Sequence, residues 1–348
     1  MIARVSIHLH RRFVFMPPVK TAVVGVGHLG SLHARIYSQL PQAELFGVYD
    51  IDSDRAAECA ARNRARAFST LEEVVRSAEA VSLAVPTDSH YELGKFLLEQ
   101  GLHLLVEKPI TEREEHAEEL VEIAKSKGLV LAVGHVERFN PALVAAAEHI
   151  SNPLFVESER LAPFNPRGTE VPVVLDLMIH DIDIVLSLIR RPVLTIQAMG
   201  VPVFTTSVDI ANARLSFEGG AVANVAASRV SIKKSRKMRF FSTDSYVSVN
   251  MLKHSAVAYR KRPGVKIPLD RETSPAIIPD MLSLVERKKL APDKKREPLA
   301  VELADFLTCV TSGKRPVVSG SDGLQALQVA DRILKAIDQS LASSGLKT

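Results

Sequence analysis

The chain has 348 residues, 46% of them hydrophobic and 24% charged, the balance of a globular enzyme long enough for two cored domains. A formal net charge of +4 is too small to imply nucleic acid without a reading motif, and no apolar run has the roughly 18–20 residues of a membrane span, so neither partner is expected. Cys59 and Cys309 stand far apart in no ligand-like spacing, which argues for free thiols, a reducing cytoplasm and no metal site.

Residues 1–18 read as an N-terminal arm or a start-codon artefact. MIARVSIHLHRRFVFMPP is basic, has no signal-peptide core, and carries a second methionine, Met16, just before the first strand. From Val19 the pattern alternates, with strands expected at 20–26, 43–50, 80–86, 102–107 and 129–135. Helices are expected near 29–40, 53–63, 70–77, 88–100 and 111–127. Short apolar runs separated by amphipathic helices predict a parallel sheet covered on both faces, over residues 19–150.

GVGHLG (25–30) is a G-x-G-x-x-G stretch between an apolar strand and a helix, and Asp50 ends the next strand. Gly25 permits the tight turn, Gly27 lets backbone approach a pyrophosphate, and Gly30 lets helix pack on strand, with His28 and Leu29 between them. Asp50 suits an adenosine ribose and would repel a 2′-phosphate, which favours NAD over NADP, although Arg55 stands near enough to soften that preference. AVPTDSH (84–90) ends a strand at the edge where cofactors lie, which makes Pro86, Thr87 and His90 candidate contacts. LLVEKPI (104–110) ends the next one, with Glu107 a further cofactor candidate and Lys108 directed into the cleft. A lysine beside a nicotinamide can polarise a substrate hydroxyl; by position alone an ordinary ion pair serves equally well.

Beyond residue 150 the texture changes. A helix is expected over 172–190, and its stretch DLMIHDID sets Asp176, His180 and Asp183 at i, i+4 and i+7 on one face of an otherwise apolar helix. Read from spacing alone, these groups either do chemistry or form a buried pair that holds the helix. Strand-like runs follow at 192–204, 209–220, 221–231, 237–244 and 245–252, with a hairpin turn at Gly219–Gly220. Consecutive strands predict a largely antiparallel sheet in a second domain, 151–348. The stretch 262–296 is irregular, and helices resume at 298–312 and 321–341, where they are free to pack back on the first domain. The basic runs 232–239 and 286–297 read as solvated surface, the first also as a phosphate site.

GVGHLG, PTDSH, VEKP and D-x-x-x-H, in this order, resemble the Gfo/Idh/MocA family of NAD(P)-dependent oxidoreductases, from about Met16 to the last helix. The resemblance implies an α/β chain: an N-terminal Rossmann doubly wound parallel sheet, then a C-terminal α/β domain with an open, mostly antiparallel sheet. That sheet's exposed face implies a homo-oligomer, dimer or tetramer. Carried over, Asp176 contacts a sugar hydroxyl, His180 shuttles the proton and Lys108 completes the catalytic group, while Asp183 fits less well and would only orient its neighbours or cap a pair. GHVERFNP (134–141) resembles the segment of members acting on UDP-linked N-acetylhexosamines. It implies oxidation of the 3-hydroxyl of UDP-N-acetylglucosamine, coupled to a PLP aminotransferase that aminates the 3-keto sugar for lipid A. Arg138, Phe139, Asn140, Arg160 and Lys234 are the substrate contacts so implied, with a packing corner the alternative for RFNP. Rival readings are oxidation of the UDP-N-acetylglucosamine uronate, of inositol or of another sugar, and, from another class, a non-catalytic NAD-binding sensor or scaffold. Lys108, Asp176 and His180 together argue against the last.

Overall fold

A computed structural model describes residues 17–165, 171–264, 281–293 and 296–344. The arm at 1–16, with Met16, and much of the irregular stretch 262–296 lie outside the described residues. Six strands, β1 (Val19–Val24), β2 (Ala43–Tyr49), β3 (Arg66–Ala67), β4 (Ala80–Leu83), β5 (His103–Glu107) and β6 (Leu131–Gly134), pair in parallel in the order β3-β2-β1-β4-β5-β6. Helices α1 (His28–Tyr37), α2 (Ser53–Asn63), α3 (Leu71–Ser77), α4 (His90–Glu99) and α5 (Glu114–Ser126) make the crossovers. This is the doubly wound order, with ligands expected beyond the carboxyl ends of the strands. β4 and β5 are four and five residues of near-continuous burial, as a sheet covered on both faces requires. The two-residue β3 was not expected; both of its residues are exposed, so it carries no periodic signal.

The second half is built on eight strands. After α6 (Pro141–Ala147) come β7 (Phe155–Leu161), a π-helical turn at Val174–Met178, and α7 (Ile179–Ile189). Then follow β8 (Val193–Val201), β9 (Ile210–Phe217), β10 (Val222–Ser228), β11 (Ser235–Phe241), β12 (Ser245–Asn250) and β13 (Ser255–Lys261). The described chain closes with α8 (Met281–Leu284), β14 (Val285–Leu290), α9 (Pro298–Ser312) and α10 (Gly320–Ser344). The sheet order is β14-β13-β12-β11-β7-β10-β9-β8, antiparallel throughout except for the parallel pair β7 and β10. β9 and β10 are joined at Glu218–Gly220, where Gly219 and Gly220 take φ of 76° and 84°.

One face of this sheet is buried and the other open. Ala211, Ala213, Leu215, Ala223 and Val225 face a core completed by Ile182, Val185, Ile333 and Ile337. Asn212, Arg214, Asn224, Lys237 and Arg239 alternate with them on the opposite face. α10 belongs to both halves: Leu327 lies in a Rossmann core cluster, Ile333 and Ile337 in that of the second sheet. α9 packs on α1, placing Leu303, Phe306 and Leu307 beside Tyr37 and Val23.

Candidate active site

The loop from β1 to α1 is shaped by what its glycines leave out. Gly25 has φ +83°, and a Cβ there would lie 2.6 Å from Val85 Cγ1 and 2.8 Å from Ala84 O. A Cβ at Gly30 would lie 1.8 Å from Gly25 O, so helix and strand can approach only with glycine. Gly27 is the reverse: nothing lies within 4 Å of its Cβ position, which leaves the backbone open to a ligand. No side chain caps α1, so the first-turn amides next to exposed His28 and Leu29 face outward as an anion site. The Asp50 carboxylate accepts from Val26 N at 2.8 Å and from Asp52 N at 2.9 Å, which fastens the end of β2 to the glycine loop. Arg55 Nη1 stands 3.4 Å from Asp50 Oδ1. Open space at Gly27, an uncapped helix start and a fixed carboxylate fit a dinucleotide.

Beyond the end of β5, Lys108 leaves the Rossmann sheet and reaches the π-helical turn before α7. Its Nζ donates to Asp176 O at 2.7 Å and lies 3.3 Å from Asp176 Oδ1. The sequence predicts plain α-helix over 172–190; the observed turn at Val174–Met178 is wider, and such turns are frequent at functional sites. His180 follows on α7. Its Nδ1 is buried without a partner among the described residues, although the ring as a whole is only half-buried. Burial, and then the charges of Lys108, Arg160 and Arg236, push the His180 pKa well below the usual histidine range. The imidazole is therefore neutral near pH 7, able to accept a proton, beside a lysine able to stabilise developing negative charge.

Other candidates are held in different ways. His90 is buried, with Nδ1 2.9 Å from Pro109 O and Nε2 3.0 Å from Val85 O, so it ties the loops after β4 and β5 together and offers a cofactor nothing directly. Glu107 is also buried, 3.0 Å from His33 Nε2; burial raises its pKa, but His33 and Lys108 hold it below the usual carboxylate range. Pro86 and Thr87 open the 3-10 turn leading to α4, at the cofactor edge.

Among the expected sugar contacts, Phe139 lies in the core. Asn140 caps α6 through Ala142 N at 3.1 Å and donates to Glu137 and Met251 O. Arg160 is 2% exposed, its guanidinium committed to Asp181 and Glu137, because a buried charge must be paired. Arg138 stands 2.9 Å from Asp183 Oδ2, outside hydrogen-bond angles, and burial pushes the Asp183 carboxyl up to about 7 against its pull. This pair borders a separate cavity lined also by Arg190, Arg315, Asp322 and Arg332. Asp183, the third polar group of DLMIHDID, thus holds Arg138. Lys234 is exposed in the loop before β11.

Three residues that sequence reasoning did not single out belong to the site. His135, at the end of β6, stands edge-on to His180 with ring centroids 5.7 Å apart. It is 1% exposed, and desolvation lowers its pKa to about 3. Glu137 is 5% exposed and accepts from both Arg160 and Arg236. His135 and Glu137 both sit in GHVERFNP, and an acid three residues past a buried strand end was the available signal. Arg236 lies inside the basic run 232–239, where spacing does not distinguish one cation from the next.

A model of the oxidoreductase family with the NAD-binding Rossmann fold matches residues 19–135, and a model of the GFO/IDH/MocA C-terminal domain matches 156–247. The chain is 36% identical to UDP-N-acetylglucosamine 3-dehydrogenase of Acidithiobacillus ferrooxidans over 93% of its own length and 98% of that enzyme's. It is 27% identical to scyllo-inositol 2-dehydrogenase (NAD(+)) of Bacillus subtilis over 89% of this chain and 92% of that one. A solved structure of the UDP-N-acetylglucosamine 3-dehydrogenase GnnA from Acidithiobacillus ferrooxidans superimposes with TM-score 0.84 at 35% identity, covering 93% of this chain and 99% of that one.

Proposed function

The chain belongs to the Gfo/Idh/MocA family of NAD-binding oxidoreductases, and on that premise we propose that it oxidises the 3-hydroxyl of UDP-N-acetylglucosamine to the 3-keto sugar. One observation carries the chemistry: Lys108, at the end of a cofactor-edge strand, meets Asp176 at 2.7 Å, one helical turn from a neutral His180. The relative that is 36% identical over nearly the whole chain supports the choice of sugar.

NAD⁺, held by the loop Gly25–Gly30 and Asp50, supplies the two-electron acceptor. As the C3–H bond breaks with its electron pair, the hydroxyl proton must leave for the C=O bond to form. His180 takes that proton, because its depressed pKa keeps an imidazole lone pair available at neutral pH. The ammonium of Lys108, anchored on Asp176 O, stabilises the negative charge that gathers on O3. Asp176, with its side chain 37% exposed, is free to accept from a neighbouring sugar hydroxyl. His135 packs edge-on against His180 and keeps its ring facing the cleft. The same reading places the enzyme in the cytoplasm, as a homo-oligomer through the open sheet face, supplying a PLP aminotransferase on the way to lipid A.

The test is NADH absorbance on mixing protein, NAD⁺ and UDP-N-acetylglucosamine, with an aminotransferase and its amino donor present to draw off the ketone. Wild type is expected to turn over, and Lys108→Met to lose at least about a hundredfold in kcat. Turnover of scyllo-inositol with none of the sugar nucleotide would sink the assignment.

A further inference from the structure

Besides the basic run 232–239 as a whole, the sequence offers Arg138, Arg160 and Lys234 for a diphosphate, and the structure gives each of the three a different circumstance. Arg160 is buried and fully spent, and Arg138 is turned to Asp183. Lys234 is exposed and anchored to nothing among the described residues.

Arg236 differs from all three. On β11 it is the direct antiparallel partner of Arg160 on β7, on the side of the sheet that carries the buried Met238 and Phe240. Two like charges directly opposite destabilise a strand pair. Glu137 resolves the conflict: its Oε1 accepts from Arg160 Nη1 and from Arg236 Nη1, both at 2.9 Å. Asn140 steadies the other carboxylate oxygen at 3.0 Å. Arg160 is further bound to Asp181, so two guanidinium groups and two carboxylates balance. Within this group Arg160 has 3% of its side chain exposed and Arg236 has 49%. Arg236 Nε and Nη2 have no protein partner among the described residues, which leaves one edge of a planar fork facing out. Through Glu137 and Arg160 the fork is tied to Asp181, the residue that follows His180 on α7.

We propose that Arg236 binds a phosphate of the substrate's diphosphate, with Glu137 and Arg160 as the positioning residues that hold its guanidinium ready. This rests on the sugar-nucleotide reading above. A guanidinium already fixed through one nitrogen loses less freedom on binding than a mobile lysine, and its free edge matches two phosphate oxygens at once.

The experiment measures UDP binding by calorimetry to the NADH-loaded full-length protein, beside turnover of UDP-N-acetylglucosamine. Arg236→Met is expected to weaken UDP about tenfold to a hundredfold while NADH affinity and melting temperature hold. Arg236→Lys keeps the charge but not the fork and is expected to fall between. Glu137→Gln, which releases Arg236, is expected to weaken UDP several-fold, and Lys234→Met to leave it within about twofold. If wild type binds UDP and turns over the sugar nucleotide while Arg236→Met binds UDP equally well, the assignment of Arg236 is overturned and the substrate stands. If wild type neither binds UDP nor oxidises the sugar nucleotide, the substrate reading falls and this inference with it.

Discussion

Gly27 and Gly30 stand three residues apart and differ in what a methyl group would meet. At Gly27 a Cβ has nothing within 4 Å, whereas at Gly30 it would lie 1.8 Å from Gly25 O. Gly27→Ala is therefore expected to melt with wild type and to bind NADH at least about tenfold more weakly, because the methyl occupies the approach to the pyrophosphate. Gly30→Ala is expected to lose about 1–3 kcal/mol of stability in denaturant unfolding, because strand and helix must part. Equal melting of the two variants would contradict this division of labour. The tight turn at Gly25 and the close packing at Gly30 were legible in the sequence, because the backbone path of a strand–turn–helix is set within six residues. Arg160 and Asn140 were not. Their jobs depend on Asp181 and Glu137, which folding brings alongside from distant or unmarked positions.

At the scale of elements, α7 shows how much one helix face carries. Asp176 meets Lys108, His180 faces the cleft beside His135, and Asp183 pairs with Arg138 from the segment after β6. The last contact ties α7 to the Rossmann half. Asp183→Ala leaves the largely buried Arg138 with only the more distant Asp322, 3.9 Å away, and is expected to cost about 2 kcal/mol in urea unfolding. Adding Arg138→Met is expected to restore most of the loss, since it removes the stranded charge; no recovery would show that the pair does not act as a unit. Helix periodicity placed these side chains on one face, but the wider π-turn under Asp176 has no periodic signature. Strand periods failed for other reasons. β7 was not expected, because FVESERL buries Ser158 and Arg160 on its inward face and so lacks the polar–apolar alternation of a strand. In β14, VERKKL is a charged, exposed edge strand, read from sequence as solvated surface. Lysines there also deter pairing with another sheet edge.

For the molecule as a whole, the buried histidines set an acid limit. His135 has a folded pKa near 3, below the ordinary value of 6.5, and that of His180 is depressed as well. Below pH 6.5 the unfolded chain binds protons that the folded chain refuses, so stability falls as pH drops from 6.5 toward 3. His135 contributes about 2 kcal/mol of that loss by pH 5. His135→Phe is expected to flatten the fall in melting temperature between pH 7.5 and pH 5. An unchanged slope would mean that another group dominates.

One helix settles the working distance of the enzyme. α10 plants Leu327 in one core and Ile333 and Ile337 in the other. It behaves as a gauge block between cradle and sheet. An extra residue inserted between those anchors would turn one end by about 100° and displace it about 1.5 Å. Neither core could keep its contacts. The span between the two cores is thus machined in when the chain folds, and a cofactor and sugar held between them would meet a preset clearance.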